Sequence, residues 1–312
     1  MNIIQLKSFA KINLTLDVLG VLDNGYHELS MIMQQILLCD DVQVKWTPAR
    51  TPSGTVGIIL STNRKFLPTD ERNLAYKAAD LMIKKFAGGR TGTIRIDIKK
   101  RIPVAAGLAG GSSNAAAVFH AVNRLWELNL DIADLCETGK VLGSDIPFCI
   151  MGQAAGNEIL HEEFKNDPLA CHCAIATGTG TELTPVTGLK SHLVLSKPAI
   201  GVSTAEVYRG IDEMTIDAHP DNEEMIAALE DKNMDIIRKN LINILENFTL
   251  NRYSIVMYTK DKLKELCSTG CVLMSGSGPT VFGLCRNMAE SKDICRQMLE
   301  YNRESFWTRT TW

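Results

Sequence analysis

A glycine-rich segment between two regular patterns constrains the fold of this chain more than any other feature. Ile94, Ile96 and Ile98 alternate with other residues, which predicts a half-buried strand. After the glycines of 107–111, apolar residues recur at helical spacing on one face, as Ala115, Val118, Phe119, Val122, Leu125 and Trp126. The order of strand, glycine-rich loop and helix predicts closely spaced backbone N–H groups at a helix N-terminus, an arrangement that holds phosphate.

The serines that close this segment add hydroxyl groups to the backbone donors. Ser112 and Ser113 follow Gly110 and Gly111, so we expect them to cap the helix and to donate to phosphate or bind Mg²⁺. The segment has neither the lysine of a Walker A loop nor the glycine spacing of a dinucleotide-binding fingerprint. For this loop taken alone, a turn that only packs the helix against the strand is the alternative.

Grouped strands before helices in the first half of the chain predict an α+β fold. We expect strands at 12–18, 31–38, 42–46, 94–98, 192–196, 272–274 and 281–284. We expect helices at 73–86, over 115–126 after the glycine-rich loop, and at 223–229, 235–245 and 288–301. A turn is predicted for 20–25. The final residues, 306–312, form either a frayed tail or a small apolar staple.

Composition and charge exclude several classes of function. The 312 residues carry a net charge of -3, so the chain lacks the broad basic face that holds a nucleic-acid backbone. No stretch approaches the roughly 18 apolar residues of a membrane-spanning helix, and no secretory signal is recognisable. The nine cysteines, an odd number in apolar surroundings, fit a reducing compartment. We therefore expect a cytoplasmic protein with a small-molecule partner, and with neither a nucleic-acid nor a membrane partner.

Three segments, in the correct order, resemble the motifs of the GHMP kinases, a superfamily that includes galactokinase and the homoserine, mevalonate and phosphomevalonate kinases. Residues 103–116 are similar to the ATP-binding motif, with Ala109 where glycine is commoner. Residues 8–14 resemble the N-terminal motif, and residues 273–282 resemble the third, a turn expected to brace the phosphate loop. The resemblance implies an α+β, two-lobed GHMP kinase fold, with a ribosomal protein S5 domain 2-like N-terminal lobe and a ferredoxin-like C-terminal lobe.

The same resemblance implies an N-terminal domain over 1–152, which carries the phosphate loop, and a C-terminal domain over 174–312. Residues 153–173 between them exceed the family pattern. We interpret them as a surface loop insertion, because loops accept extra length at little cost. A metal site or a regulatory lid is the alternative. Cys171, His172 and Cys173 lack the spacing of zinc ligands, so no metal-ligating residues are predicted.

Tyr26 and His27 lie in a segment that resembles the Gly-Tyr-His motif of the 4-diphosphocytidyl-2-C-methyl-D-erythritol kinases, a family within that superfamily. In that family the aromatic ring and the imidazole hold the cytosine. A flat base stacks on a ring, and an imidazole can hydrogen-bond a pyrimidine edge. In isolation, this segment would be interpreted as a hairpin turn with an incidental aromatic pair. The substrate contacts implied by the resemblance are Asn13, Tyr26, His27, Lys100 and Thr204.

The resemblance implies ATP-dependent phosphorylation of the 2-hydroxyl of the methylerythritol part, in the methylerythritol phosphate route to isoprenoid precursors. Lys11 is expected to stabilise the developing charge, and Asp145 either abstracts the hydroxyl proton or only orients the hydroxyl. ATP and Mg²⁺ are expected, since the metal bridges the phosphates. The implied nucleotide contacts are Asn73, Pro103, Val104, Ala105, Ala106, Gly107, Leu108, Ala109, Gly110, Gly111, Ser112 and Ser113.

Two other functions stay open at this point. Another GHMP small-molecule kinase, of homoserine or mevalonate type, needs no cytosine, so inhibition by CMP or CDP would separate it. A non-catalytic protein of the same fold that only senses a nucleotide or sugar is disfavoured, because Lys11 and Asp145 are both present. The sequence leaves both a monomer and a homodimer open.

Overall fold

The chain divides into two compact units in a computed structural model that describes residues 2–23, 25–49 and 54–312. The first unit contains the described residues of 1–10, 39–102 and 109–171, and the second contains those of 11–38, 103–108 and 172–312. Both units are discontinuous in sequence. The contacts therefore group the residues differently from the expected division into 1–152, 153–173 and 174–312.

The first unit combines the sheet strands that precede the glycine-rich loop with a layer of helices. Its strands are the start of β1 (Ile3–Val21), the end of β2 (His27–Pro48), β3 (Val56–Thr62) and β4 (Gly92–Lys99). β4 pairs antiparallel with β2 and parallel with β3. The helices are α1 (Leu74–Phe86), α2 (Gly110–Leu125), α3 (Ile132–Gly139), α4 (Asp145–Gly156) and α5 (Glu158–Phe164), with a 3₁₀ turn at Lys140–Leu142.

Helix α2 lies in the core of the first unit. Each of its residues from Ser113 to Asn123 is buried, and it packs against α1 and α4. The small side chains of Ala115, Ala116 and Ala117 let these neighbours approach closely. The loop that precedes α2 is consequently attached to a helix that is buried along most of its length.

The second unit contains two sheet regions. In one, the start of β2 pairs antiparallel with β5 (Cys173–Thr177), which pairs with β6 (Glu182–Pro185). The other is antiparallel in the order β10-β7-β9-β8, built from β7 (His192–Lys197), β8 (Val272–Met274), β9 (Val281–Cys285) and β10 (Glu304–Arg309). The helices are α6 (Thr204–Asp212), α7 (Asn222–Asp231), α8 (Met234–Asn240), α9 (Glu246–Arg252), α10 (Ser254–Leu266) and α11 (Met288–Met298).

The α+β class is confirmed, but several predicted element boundaries are wrong. The two strands expected at 31–38 and 42–46 are one strand, β2, because hydrogen bonds satisfy the buried carboxylate of Asp40 at the expected break. The helix expected to reach residue 245 ends at Asn240, since the chain then forms a bridge between Asn243 and Leu16. The expected tail includes part of β10. Asn24, in the predicted turn, lies outside the described residues.

The expectation of a surface loop at 153–173 is also wrong. Residues 153–156 complete α4, and α5 follows almost at once. Leu160 and Phe164, four residues apart, are buried on one face of α5, so this helix packs into the core of the first unit. Among the described residues, no helix combines the length and apolar character required to span a membrane.

Candidate active site

The glycine-rich loop lies against the third motif at Gly107. Gly107 has a φ of +70°, and a Cβ added to it would lie 2.1 Å from the carbonyl oxygen of Ser275. The Ser275 hydroxyl donates a hydrogen bond to the Gly107 carbonyl oxygen at 2.9 Å. Only glycine permits this approach and this conformation. The expectation that the third motif braces the loop is therefore confirmed.

Ala109 turns the loop into α2. It is the N-cap residue, with a left-handed backbone at φ 54° and ψ 27°, and its side chain makes no capping hydrogen bond. This conformation costs a residue with a Cβ about 1 kcal/mol, which explains why glycine suits the position better. The first turn contains Gly110, Gly111 and Ser112, whose N–H groups have no acceptor within the helix. These three residues can supply phosphate donors.

Ser113 neither caps α2 nor has a hydroxyl available to a phosphate, in contrast to the prediction. It is fully buried in the second turn of α2, where its N–H donates to the Ala109 carbonyl at 2.8 Å. Its hydroxyl donates to the Phe9 carbonyl at 2.6 Å and accepts from Ser8 at 2.8 Å. Ser113 therefore anchors the helix, and capping by either serine was a wrong prediction because the helix begins at Gly110.

Lys11 and Asn13 connect the N-terminal motif with both glycine-rich turns within the second unit. The Lys11 N–H donates to the Leu108 carbonyl at 3.2 Å, and its ammonium donates to Asn13 Oδ1 at 2.7 Å. Asn13 Oδ1 also accepts from the Gly276 N–H at 3.1 Å. Both side chains are buried, and Asn243 holds the same turn through the Gly276 carbonyl at 2.8 Å. The Leu108 carbonyl thus holds the Lys11 backbone, and Asn13 links the Lys11 ammonium to the third motif.

His27 is held from two sides by residues of α6. Its Nε2 lies 2.8 Å from Asp212 Oδ1, and its ring centroid is 4.7 Å from that of Tyr208. The His27 side chain is 16% exposed, whereas Tyr26 is 66% exposed. Thr204, at the start of α6, shares a hydrogen bond of 2.9 Å with Ser277.

Sequence reasoning missed Tyr208 and Asp212, although a signal was present. They follow the predicted contact Thr204 at positions i+4 and i+8 of one helix, a spacing that brings three side chains to one face. An imidazole that binds a base can be held by an aromatic ring and a carboxylate. Tyr208 and Asp212 provide these two groups on the helix face that carries Thr204.

Asp145 is the first residue of α4 in the first unit. It is half-buried, and the residues from Ile146 to Ala154 that follow it are all buried. The Ile146 N–H donates to the Gly143 carbonyl at 3.1 Å, which fixes the turn that carries Asp145. The carboxylate therefore stands at the end of a helix that is anchored along its remaining length.

Two predicted contacts have structural partners. Asn73 is the N-cap of α1, where its Oδ1 accepts from the Ala75 N–H at 3.0 Å and its amide donates to the Pro68 carbonyl. The Lys100 side chain is 5% exposed and forms an ion pair with Asp40. The side-chain polar atoms of Asn73 and Lys100 therefore both form hydrogen bonds within the first unit.

The described residues contain no group of three or more His, Cys, Asp and Glu side chains arranged to hold a metal ion. Mg²⁺ commonly binds through one or two protein oxygens together with substrate phosphates and water. The half-exposed hydroxyl of Ser112, on the first turn of α2, and the carboxylate of Asp145 are donors of that kind. The residues present therefore fit a metal that arrives with a phosphate ligand.

Comparison with known proteins gives sequence matches to a family and to individual relatives. Residues 73–153 match the family described as GHMP kinases N terminal domain. The chain is also 45% identical over 290 residues to a 4-diphosphocytidyl-2-C-methyl-D-erythritol kinase from Alkaliphilus metalliredigens, covering 93% of this chain and 90% of that protein. The chain belongs to the 4-diphosphocytidyl-2-C-methyl-D-erythritol kinase family.

Solved structures agree with membership of the 4-diphosphocytidyl-2-C-methyl-D-erythritol kinase family. A crystal structure of a 4-(cytidine 5'-diphospho)-2C-methyl-D-erythritol kinase matches with a TM-score of 0.77 and 27% identity, over 99% of this chain and 100% of that chain. Homoserine kinase from Cytophaga hutchinsonii matches with a TM-score of 0.70 and 15% identity, over 100% and 95% of the two chains. The second likeness shows the fold alone. The predicted GHMP kinase fold is confirmed.

Proposed function

We propose that this protein transfers the γ-phosphate of ATP to the 2-hydroxyl of 4-diphosphocytidyl-2-C-methyl-D-erythritol, in the methylerythritol phosphate route to isoprenoid precursors. The observation that carries this proposal is the 45% identity, over 93% of the chain, to a kinase of that name. A cytoplasmic location is proposed with it, supported by the nine cysteines and their mostly apolar surroundings.

Phosphoryl transfer requires in-line positioning, stabilisation of charge and removal of the hydroxyl proton. In our proposal, Asp145 accepts the proton of the 2-hydroxyl, and the Lys11 ammonium stabilises the negative charge on the transferring group. The buried contact between Lys11 and Asn13 supports this role, because a preorganised cation loses little entropy when charge develops.

The nucleotide phosphates are proposed to bind the loop residues 103–111 and Ser112. Gly110 and Gly111 support this assignment, because they leave helix N–H groups open to an anion and sit at the positive end of α2. Magnesium, when bound with ATP, neutralises phosphate charge. Ser112, through its hydroxyl on the first turn of α2, is the residue that would hold it.

The cytosine is proposed to bind at Tyr26 and His27. The exposed Tyr26 ring supplies a surface for stacking, and the imidazole supplies a hydrogen bond to the pyrimidine edge. Tyr208 and Asp212 keep the imidazole in one orientation. Thr204, on the same helix, is retained as a substrate contact.

The roles of the two catalytic residues are tested with Asp145→Asn and Lys11→Met, using exposed Asp134→Asn as a matched control. We expect kcat to fall at least about a hundredfold in the first two, the range seen when a general base or a charge-stabilising group is lost. Binding of CDP, measured by calorimetry, should stay within about threefold, since neither residue is assigned to the base. A wild-type kcat in Asp145→Asn would contradict the proposal that Asp145 accepts the hydroxyl proton.

The substrate class is tested by inhibition with CMP and CDP. These compounds should compete with the cytidine substrate, because they carry the base that Tyr26 and His27 are proposed to hold. A homoserine- or mevalonate-type kinase has no need of this base. Absence of inhibition by both compounds at millimolar concentration would contradict the proposed base pocket.

A further inference from the structure

Asp40 is a fully buried carboxylate that accepts hydrogen bonds from both sides of the glycine-rich loop. Its Oδ1 accepts from the backbone N–H groups of Arg101 at 2.6 Å and Ile102 at 2.8 Å, directly before the loop. Its Oδ2 accepts from the side-chain amide of Asn114 at 2.8 Å, on α2 directly after the loop. One side chain of β2 therefore fixes the two ends of this segment.

Lys100 completes this arrangement. Its ammonium forms an ion pair with Asp40 Oδ2, and it donates to Asn114 Oδ1 at 3.0 Å and to the Gly110 carbonyl at 3.4 Å. The lysine side chain is 5% exposed and the Asp40 side chain is 0% exposed. An ammonium has three protons, so its donors are matched by three acceptors in a region from which water is excluded.

The first turn of α2 has little free space around this cation. A Cβ added to Gly110 would lie 2.9 Å from a methyl group of Ile102 and 3.2 Å from the Lys100 nitrogen. A change in the position of the ammonium would consequently move the backbone of Gly110, whose N–H is one of the proposed phosphate donors. Lys100 thus contacts the backbone of Gly110, which belongs to the proposed phosphate site.

We propose that Asp40 and Lys100, here called the loop clamp, are positioning residues for ATP binding. They hold residues 101–102 and 110–114 at the spacing that aims the loop N–H groups at the phosphates. Replacing a buried ion pair with apolar residues of equal volume often leaves stability unchanged, so net stabilisation alone does not account for the pair. Preorganised donors do increase affinity, because less entropy is lost on binding. This inference rests on the proposed function, which supplies ATP as the ligand.

The test uses Asp40→Asn, the double variant Asp40→Asn with Lys100→Met, and Asp41→Asn as a matched control. Asp41 is the next residue of β2 and also forms ion pairs, with Lys7 and Arg101, but these pairs are partly exposed. The double variant removes both charges together, so it leaves no unpaired buried ion if the single variant fails to fold. Folding is followed by urea denaturation in all three.

The measurements are the KM of ATP, the KM of the cytidine substrate, and the Kd of ADP by calorimetry with magnesium present. We expect Asp40→Asn and the double variant to raise the KM of ATP and the Kd of ADP at least about tenfold, because misplacement by about 1 Å can cost a hundredfold. The KM of the cytidine substrate should change less than about threefold, and Asp41→Asn should match the wild type. A merely structural role would lower the urea midpoint without separating the two KM values.

Wild-type affinity for ADP in a folded double variant would overturn the proposal. An equal rise of both KM values in Asp40→Asn would also overturn it. A wild-type protein that binds ADP but never phosphorylates the cytidine substrate would contradict the proposed function instead. The loop clamp would still be supported in that case if Asp40→Asn weakened ADP binding and Asp41→Asn did not.

Discussion

The Lys11 ammonium donates to Asn13 Oδ1 at 2.7 Å, and the same oxygen accepts from the Gly276 N–H at 3.1 Å. One amide oxygen therefore holds a proposed catalytic cation and a backbone group of the third motif. Both side chains are buried. Asn13 consequently sets the position of Lys11 relative to the turn that also contacts Gly107 through Ser275.

Replacing this oxygen should lower both catalysis and stability. In Asn13→Leu, which keeps most of the side-chain volume, the Lys11 ammonium and the Gly276 N–H each lose the acceptor that Asn13 Oδ1 provides, and one lost hydrogen bond typically costs about 1 kcal/mol. We expect kcat to fall at least about tenfold, since preorganisation of the charge is lost. Steady-state kinetics and thermal unfolding measure the two effects. A folded variant with wild-type kcat would contradict the role of Asn13.

The close approach of Gly107 to Ser275 gives a second prediction. Gly107→Ala should raise the KM of ATP and lower stability by about 2 kcal/mol or more, because its methyl group would overlap a backbone oxygen. Gly89→Ala is the matched control, since Gly89 has a similar φ of +80° but no atoms within 4 Å of the added Cβ. It should cost about 1 kcal/mol of strain and leave the KM of ATP unchanged. Similar ATP kinetics in both variants would contradict the proposed contact of the loop with the nucleotide.

The pair formed by His27 and Asp212 gives a third prediction, on substrate affinity. Asp212→Ala should weaken CDP binding about tenfold, because it removes the acceptor that orients the imidazole, and His27→Ala should weaken it at least as much. ATP binding should stay unchanged. Exposed Glu213→Gln, the next residue, is the control. Calorimetry with CDP and with ATP makes the comparison, and equal weakening of both ligands would argue against the cytosine site.

His120 makes stability depend on pH. It is fully buried in α2, where its Nε2 donates to the Ile150 carbonyl at 2.9 Å, and burial lowers its pKa to about 4 from the usual 6.5. Below pH 6.5 the unfolded chain takes up a proton that the folded protein excludes. The free energy of unfolding should therefore fall by about 3 kcal/mol as the pH decreases from 6.5 to 4.

Urea denaturation at pH 7.5, 6, 5 and 4 measures this dependence. His120→Met removes the titrating group from a buried position, so its free energy of unfolding should fall less over the same interval, whatever its value at pH 7.5. Replacement of the exposed His161 with glutamine should leave the wild-type slope intact. A wild-type slope in His120→Met would show that other groups cause the acid sensitivity.

Local patterns predicted the elements whose residues interact with near neighbours in sequence. Helix α1 begins where Asn73 offers a cap, and β4 follows the alternation of Ile94, Ile96 and Ile98. The glycine-rich loop was placed correctly because glycine at a helix start is a strong local signal. The start of α2 was predicted too late, at a cap formed by Ser112 or Ser113. The helix follows Ala109 in a left-handed conformation, and no side-chain cap marks that start.

Contacts between distant residues could not be predicted from those patterns. The strands expected at 31–38 and 42–46 left Asp40 in the break between them, whereas it is fully buried within β2. Its burial is compensated by four donors that lie 60 to 74 residues away in sequence, on Lys100, Arg101, Ile102 and Asn114. The burial of Lys100, predicted as a substrate contact, follows from the same long-range pairing.

Measuring which acceptor the purified protein phosphorylates tests the proposed function most directly. ADP release with ATP and Mg²⁺ is followed by a coupled assay in parallel reactions that contain 4-diphosphocytidyl-2-C-methyl-D-erythritol, homoserine or mevalonate. We predict turnover with the cytidine substrate alone, and its loss in Asp145→Asn. Turnover with homoserine or mevalonate, or nucleotide binding without turnover of any acceptor, would contradict the proposed function.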